Sequence, residues 1–259
     1  MRVSELAGPE LIVSRIKAIR EPRMRVLALI AAMADGDAAL WVEALAAIIT
    51  RAHVVDDADA MLALECLTHA AGAPELGYDT RQRMYVAAVE RNLPAIARLF
   101  LAHSPQAALP ATLVKQLGPE RPLRPTDRPL TLGERKALAR THDRQQILLL
   151  VRDPHPHVVA ILLDNPHVVE ADIVRLSAMR PAVPESLAKV AAHPRWSVRH
   201  AVKRALVFNP STPLADAIRI ATTLRHAELV ELAGDHALPE PLRQHATELM
   251  RETLARPRA

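Results

Sequence analysis

The sequence predicts an all-α protein: an N-terminal helical segment followed by an α-solenoid of short helical hairpins. Three observations carry that expectation. Ala (46) and Leu (36) dominate a 259-residue chain with 7 Gly and 2% aromatic residues, a mixture that favours helix over a β-sandwich with Gly-rich turns and aromatic strands. The 21 Pro cut the helical pattern into many short pieces, because each Pro lacks an N–H and restricts the residue before it. The second half of the chain also repeats itself at intervals of about 40 residues, the sign of stacked helical units.

In the first half the apolar spacing is helical throughout. Ile12, Ile16 and Ile19 share one face, with Ser14, Arg15, Lys17 and Arg20 opposite. Leu40, Trp41, Ala44, Leu45, Ile48 and Ile49 repeat the pattern, as do Met84, Tyr85, Ala88 and Val89, then Ile96, Leu99 and Phe100. Breaks near Glu21-Pro22, Asp35-Gly36, Gly72-Ala73-Pro74 and Asn92-Leu93-Pro94 imply about six or seven helices. Trp41 and Phe100 lie on the apolar stripes and read as core. Residues 26–49 are the most membrane-like stretch, but Asp35, Gly36, Asp37 and Glu43 interrupt them. Two helices fit better than one span, which needs about 20 apolar residues in a row. The acidic run Asp56, Asp57 and Asp59 suits a helix start, where carboxylates complement the macrodipole. Cys66 falls in an apolar pattern and reads as a small buried hydrophobe; a lone cysteine excludes a disulfide framework. The first ten residues carry Glu5 and Glu10 without an apolar core, unlike a signal peptide. The expected location is the cytoplasm, away from membranes.

A Pro-rich stretch, with Pro119, Pro122, Pro125 and Pro129, cannot hold a helix and reads as a joint. Its Pro122-Leu123-Arg124-Pro125 matches P-x-x-P, a pattern common enough by chance to leave the linker reading in place. Directly after it, Thr131 and Glu134 form a capping box at the start of a helix. The expected organisation is therefore a helical domain over 1–117, a linker over 118–130 and a solenoid over 131–259. Asn165-Pro166 recurs as Asn209-Pro210, and at the same offset of 44 Asp172, Val174, Arg175 and Leu176 meet Asp216, Ile218, Arg219 and Ile220. Asp153-Pro154 and Val158 pair with His193-Pro194 and Val198 at an offset of 40. Leu187, Val190 and Ala191 map onto Leu229, Leu232 and Ala233 at 42.

These residues also carry a family resemblance. Asp153-Pro154-His155-Pro156-His157-Val158, Leu162-Leu163-Asp164-Asn165-Pro166, His193-Pro194 with Val198-Arg199-His200-Ala201-Val202, and Asn209-Pro210-Ser211-Thr212-Pro213 resemble the bacterial leucine-rich-repeat-variant proteins, relatives in shape of HEAT repeats. The likeness covers residues 148–245. It implies a right-handed stack of short helices used mainly as a binding surface, in a bacterial protein, and the skew to 28 Arg over 5 Lys agrees with a GC-rich genome. Unit lengths here are irregular, and the cysteine cluster of some family members is absent.

Charge is uneven. Residues 1–118 hold 12 Lys+Arg against 13 Asp+Glu, net −1; residues 119–259 hold 21 against 16, net +5. The conspicuous cluster is a helix expected to start near Trp196, with Arg195, Arg199 and Lys203 on one face and His200 and Arg204 beside them. A 44-residue shift keeps a cation only at Arg243, so the ridge is local. A tight duplex binder uses roughly six to ten phosphate contacts. The expected role is therefore non-catalytic protein–protein recognition, an adaptor or scaffold meeting an acidic protein surface through Arg195, Trp196, Arg199, His200, Lys203 and Arg243. Sequence-tolerant nucleic-acid binding through residues 195–204 is the alternative. No His has another at i+4, and no H-E-x-x-H, phosphate-binding loop or nucleophile elbow occurs. No catalytic residue, metal or cofactor is expected.

Overall fold

The computed structural model describes residues 8–101, 114 and 129–254. These form fifteen α-helices and no strand. The chain divides into two compact units, Met1–His103 with Ile218–Ala259, and Ser104–Ala217.

The first unit opens with α1 (Pro9–Ala18), α2 (Pro22–Asp35), α3 (Ala38–Thr50), α4 (Ala58–Gly72), α5 (Tyr78–Glu90) and α6 (Pro94–Phe100). The sequence breaks mark their ends. Glu21 caps α2 through the N–H groups of Arg23 and Met24, and Asp37 caps α3 through Ala39. Between α2 and α3, the Trp41 indole lies over Gly36 so closely that a β-carbon there would meet its Nε1 at 2.2 Å; only glycine fits. α3 runs into a wider π-type turn over Arg51–Val55, closed by Asp56 in the left-handed region (φ 57°). Residues 38–55 are long and apolar enough to cross a membrane by length and composition alone. In the fold Trp41, Val42, Leu45, Ile48 and Ile49 are buried, and α3 packs against α4 and α5. The acidic run does begin a helix: Asp57 caps α4 by accepting from the Asp59 and Ala60 N–H groups, and Arg51 pairs with its carboxylate. Cys66 is buried, and burial pushes its thiol up to about 11.

The second unit holds α7 (Leu132–Leu138), α8 (Arg144–Leu150), α9 (Pro156–Asp164), α10 (Glu170–Ala178), α11 (Pro184–Ala192) and α12 (His200–Val207). Thr131 and Glu134 make the capping box at the start of α7. Neighbours two helices apart in sequence lie together: α9 packs on α7 and α11, and α10 on α12. The core of this unit includes Ile147, Leu150, Val158, Leu162, Ile173, Leu187, Val202 and Leu206. Burying each Leu or Ile in full contributes about 1.5–3 kcal/mol.

α13 (Leu214–Ala221) crosses the division between the units, and α14 (His226–Gly234) and α15 (Glu240–Leu254) fall in the first unit. The sequence-based expectation of one domain over 131–259 differs from the fold, in which Ile218 onward groups with α1–α6. The reason is local chemistry. Glu248 takes a two-pronged ion pair from Arg98 (2.8 and 3.0 Å), and Glu252 accepts from the Ala95 N–H (2.8 Å) at the start of α6, where the helix dipole favours a carboxylate. Of the linker, only Pro129 and Leu130 are among the described residues, and its P-x-x-P motif lies outside them.

Positions matched by sequence occupy like places. Asp172 and Asp216 are each third in their helix, and Leu187 and Leu229 each fourth. The two Asn-Pro asparagines follow α9 and α12 and are 5% and 2% exposed. Asn165 donates to the carbonyls of Ala139 (2.9 Å) and Thr141 (2.8 Å), just past α7, and accepts from the His167 N–H. Asn209 does the same to Ser177 (2.7 Å) and Met179 (2.8 Å), at the end of α10, and accepts from the Ser211 N–H. Each amide thus satisfies helix-end carbonyls that have no partner within their own helix. Asn165→Ala and Asn209→Ala are each expected to lower the unfolding free energy by about 1–3 kcal/mol, since one buried and one half-buried carbonyl lose their donor; urea titration of each variant measures this.

His53, on the π-type turn, donates from Nε2 to the Thr222 carbonyl (2.8 Å). Burial, and secondarily the charge of His226, lowers its pKa, while the Thr222 bond opposes this. A group that binds its proton less readily folded than unfolded destabilises the fold as pH falls through the unfolded value of about 6.5. Unfolding midpoints are expected to drop between pH 7 and pH 5, and the drop to shrink in His53→Gln.

Candidate functional site

The six residues that the sequence brings forward do not form one cationic helix face. His193 ends α11, residues 194–198 form a tight turn, and Arg199 is the N-cap of α12. Hydrogen bonds from the N–H groups of Trp196 and Ser197 to the His193 carbonyl (3.1 and 2.9 Å) hold that turn. The expected spacing of four residues per cation therefore does not run along a helix.

Trp196 points inward. It is 2% exposed, and its indole Nε1 donates to the Leu163 carbonyl at the end of α9 (2.8 Å). Expected among the residues that meet a partner, it is a core anchor instead, because a buried indole brings its N–H to an acceptor. Arg195 covers the ring, its guanidinium carbon 4.2 Å from the ring centre, and donates to the Val168 carbonyl (3.3 Å). That stacking adds about 0.5–2 kcal/mol. Lys203 is buried as well, at 6% exposure, so it is not offered to a partner. Arg199 and His200 are exposed alongside Arg195. Arg243 belongs to the other unit, on α15, and bonds the His236 ring (3.0 Å).

The helix-break histidines act locally. His155 is the N-cap of α9, its Nδ1 accepting from the His157 N–H, and His193 reaches Asp164 from Nε2 (3.2 Å). Burial and the nearby Arg135 charge hold the His155 imidazole below its usual value. Among the described residues no three His, Cys, Asp or Glu side chains gather to hold a metal ion.

A second feature was not singled out in the sequence. In the Ser104–Ala217 unit a cavity of about 690 Å³ lies between the end of α8, the last turn of α10 and the start of α11. Arg152, Arg175 and Arg180 line it with Asp153. Their positions carry one legible signal: each arginine sits in, or within two residues of, a helix C-terminus, where cations are favoured. Which helix ends converge is a tertiary fact. No family model, curated protein or solved structure matches the chain.

Trp196→Phe, which removes the bond to Leu163, is expected to cost about 1–2 kcal/mol of stability, read by thermal or urea unfolding. With Trp41 and Trp196 at 3% and 2% exposure, iodide is expected to quench the native fluorescence only slightly.

Proposed function

We propose that the chain is a non-catalytic protein–protein interaction module, an adaptor or scaffold of the bacterial cytoplasm, with a short HEAT-like solenoid in its second half. The observation that carries this reading is the pair of equivalent asparagine clasps, at Asn165 and Asn209, together with packing of helices two apart. An array built this way presents successive loops and helix faces in register, a surface suited to an extended partner. The exposed Arg195, Arg199 and His200 favour a partner with an acidic surface. With Trp196 and Lys203 buried, the stacking and phosphate contacts that nucleic-acid binding would draw from this segment are reduced.

The full chain, immobilised, is expected to retain an acidic protein from bacterial extract. Rebinding of that purified protein should weaken about tenfold in Arg195→Glu/Arg199→Glu, with the unfolding midpoint measured in parallel. If mixed-sequence duplex DNA instead binds with a steep salt dependence that the double variant abolishes, the nucleic-acid reading replaces this one.

A further inference from the structure

The cavity between α8, α10 and α11 has an apolar wall, and the polar side chains around it are already committed to partners within the chain. Leu148, Val159, Leu176, Met179, Val183 and Leu187 supply the apolar surface. Val159, Leu176 and Leu187 are buried, and Leu148, Met179 and Val183 are half-buried. The volume, about 690 Å³, lies within the range of about 300–1,000 Å³ in which proteins bind small molecules.

Five lining residues carry polar side chains: Arg152, Asp153, Arg175, Arg180 and Ser186. The fully buried Asp153 carboxylate accepts from Arg135 Nη1 through both oxygens at 2.7 Å, and from the His155 N–H. The Ser186 hydroxyl donates to the Pro154 carbonyl (3.0 Å). Arg180 donates to the Phe208 carbonyl at the end of α12. Arg175 lies near enough to Asp172 to help hold that carboxyl below its ordinary value. Arg152 is engaged as well. All three arginines are exposed, so their remaining donors are hydrated at the rim rather than aimed into the hollow.

This inventory selects a class of ligand. A charged molecule entering the hollow would give up water against an apolar wall and find its counter-charges already answered. A peptide strand would bring backbone amides whose partners here are taken, and a buried amide left without one is costly. A base would find no ring to stack on, since none of the lining residues is aromatic. A molecule with no charge and few hydrogen-bonding groups incurs none of these costs and gains from the apolar surface it covers. We infer that the cavity binds a small, electrically neutral apolar molecule, seated against Leu148, Leu176, Met179 and Leu187. The site is separate from Arg195 and Arg199 and does not depend on the adaptor reading.

The test is a fluorescence titration of the uncharged probe N-phenyl-1-naphthylamine with the full chain. Emission is expected to rise to saturation, and 1-decanol should displace the probe at a concentration about tenfold lower than decanoate or decyltrimethylammonium requires. Met179→Trp, which fills the hollow, and Leu148→Asp, which puts a charge in its wall, should each weaken the probe about tenfold or more. Val86→Arg, on α5 in the other unit, should leave the affinity unchanged. The comparison of competitors needs no variant and carries the test should either cavity substitution fail to fold. No rise in emission at about 0.5 mM protein overturns the inference, as does unchanged affinity in folded Met179→Trp and Leu148→Asp. Displacement by decanoate as good as that by decanol overturns it in favour of a fatty-acid site. Equal displacement by an end-blocked dileucine peptide overturns it in favour of a partner protein.

Discussion

Helices that end inside a protein leave carbonyl groups facing a medium that cannot hydrate them, and in the second unit a buried asparagine amide answers that constraint twice. Asn165 and Asn209 each hold two carbonyls at the end of an earlier helix while anchoring their own following turn. Apolar burial supplies most of the attraction between the helices, but it is not directional. The amide is: it fixes which helix end meets which loop. Trp196 adds a third bond of the same kind, from its indole to the Leu163 carbonyl.

Ion pairs work on the same helix ends. Asp172 accepts from both Arg144 and the Val169 N–H at the start of α10. Burial raises its pKa, while those two donors and the charge of Arg175 more than offset the rise, leaving the carboxyl below its ordinary value. Asp153 is held by Arg135 in a similar way. Pairs with one buried partner are costly to break and contribute modestly when intact, so their main effect is to set geometry.

Much of the fold is legible in residue order. Glu21-Pro22, Asp35-Gly36 and Asn92-Leu93-Pro94 end helices because Pro, Gly and capping side chains act on the backbone beside them, and Thr131 with Glu134 begins α7 for the same reason. Periodicity placed Trp41, Phe100 and Cys66 in the core. The segment at 193–204 reads less well. His193 and Pro194 do announce a break, but the periodic cations Arg195, Arg199 and Lys203 imitate a solvated helix face. The bond from Trp196 to Leu163 draws the chain into a turn instead. Its acceptor lies 33 residues away, beyond the reach of any local pattern.

By itself, then, the sequence determined the all-α class, the helix boundaries and the equivalence of Asn165 with Asn209, since propensity, capping and repetition are properties of neighbours along the chain. Only the tertiary structure decided that Trp196 and Lys203 are buried, that α15 caps and pairs with α6, and that three arginines share one cavity. Those outcomes depend on contacts between distant segments, where burial and the location of a partner, rather than residue type, set what a side chain does.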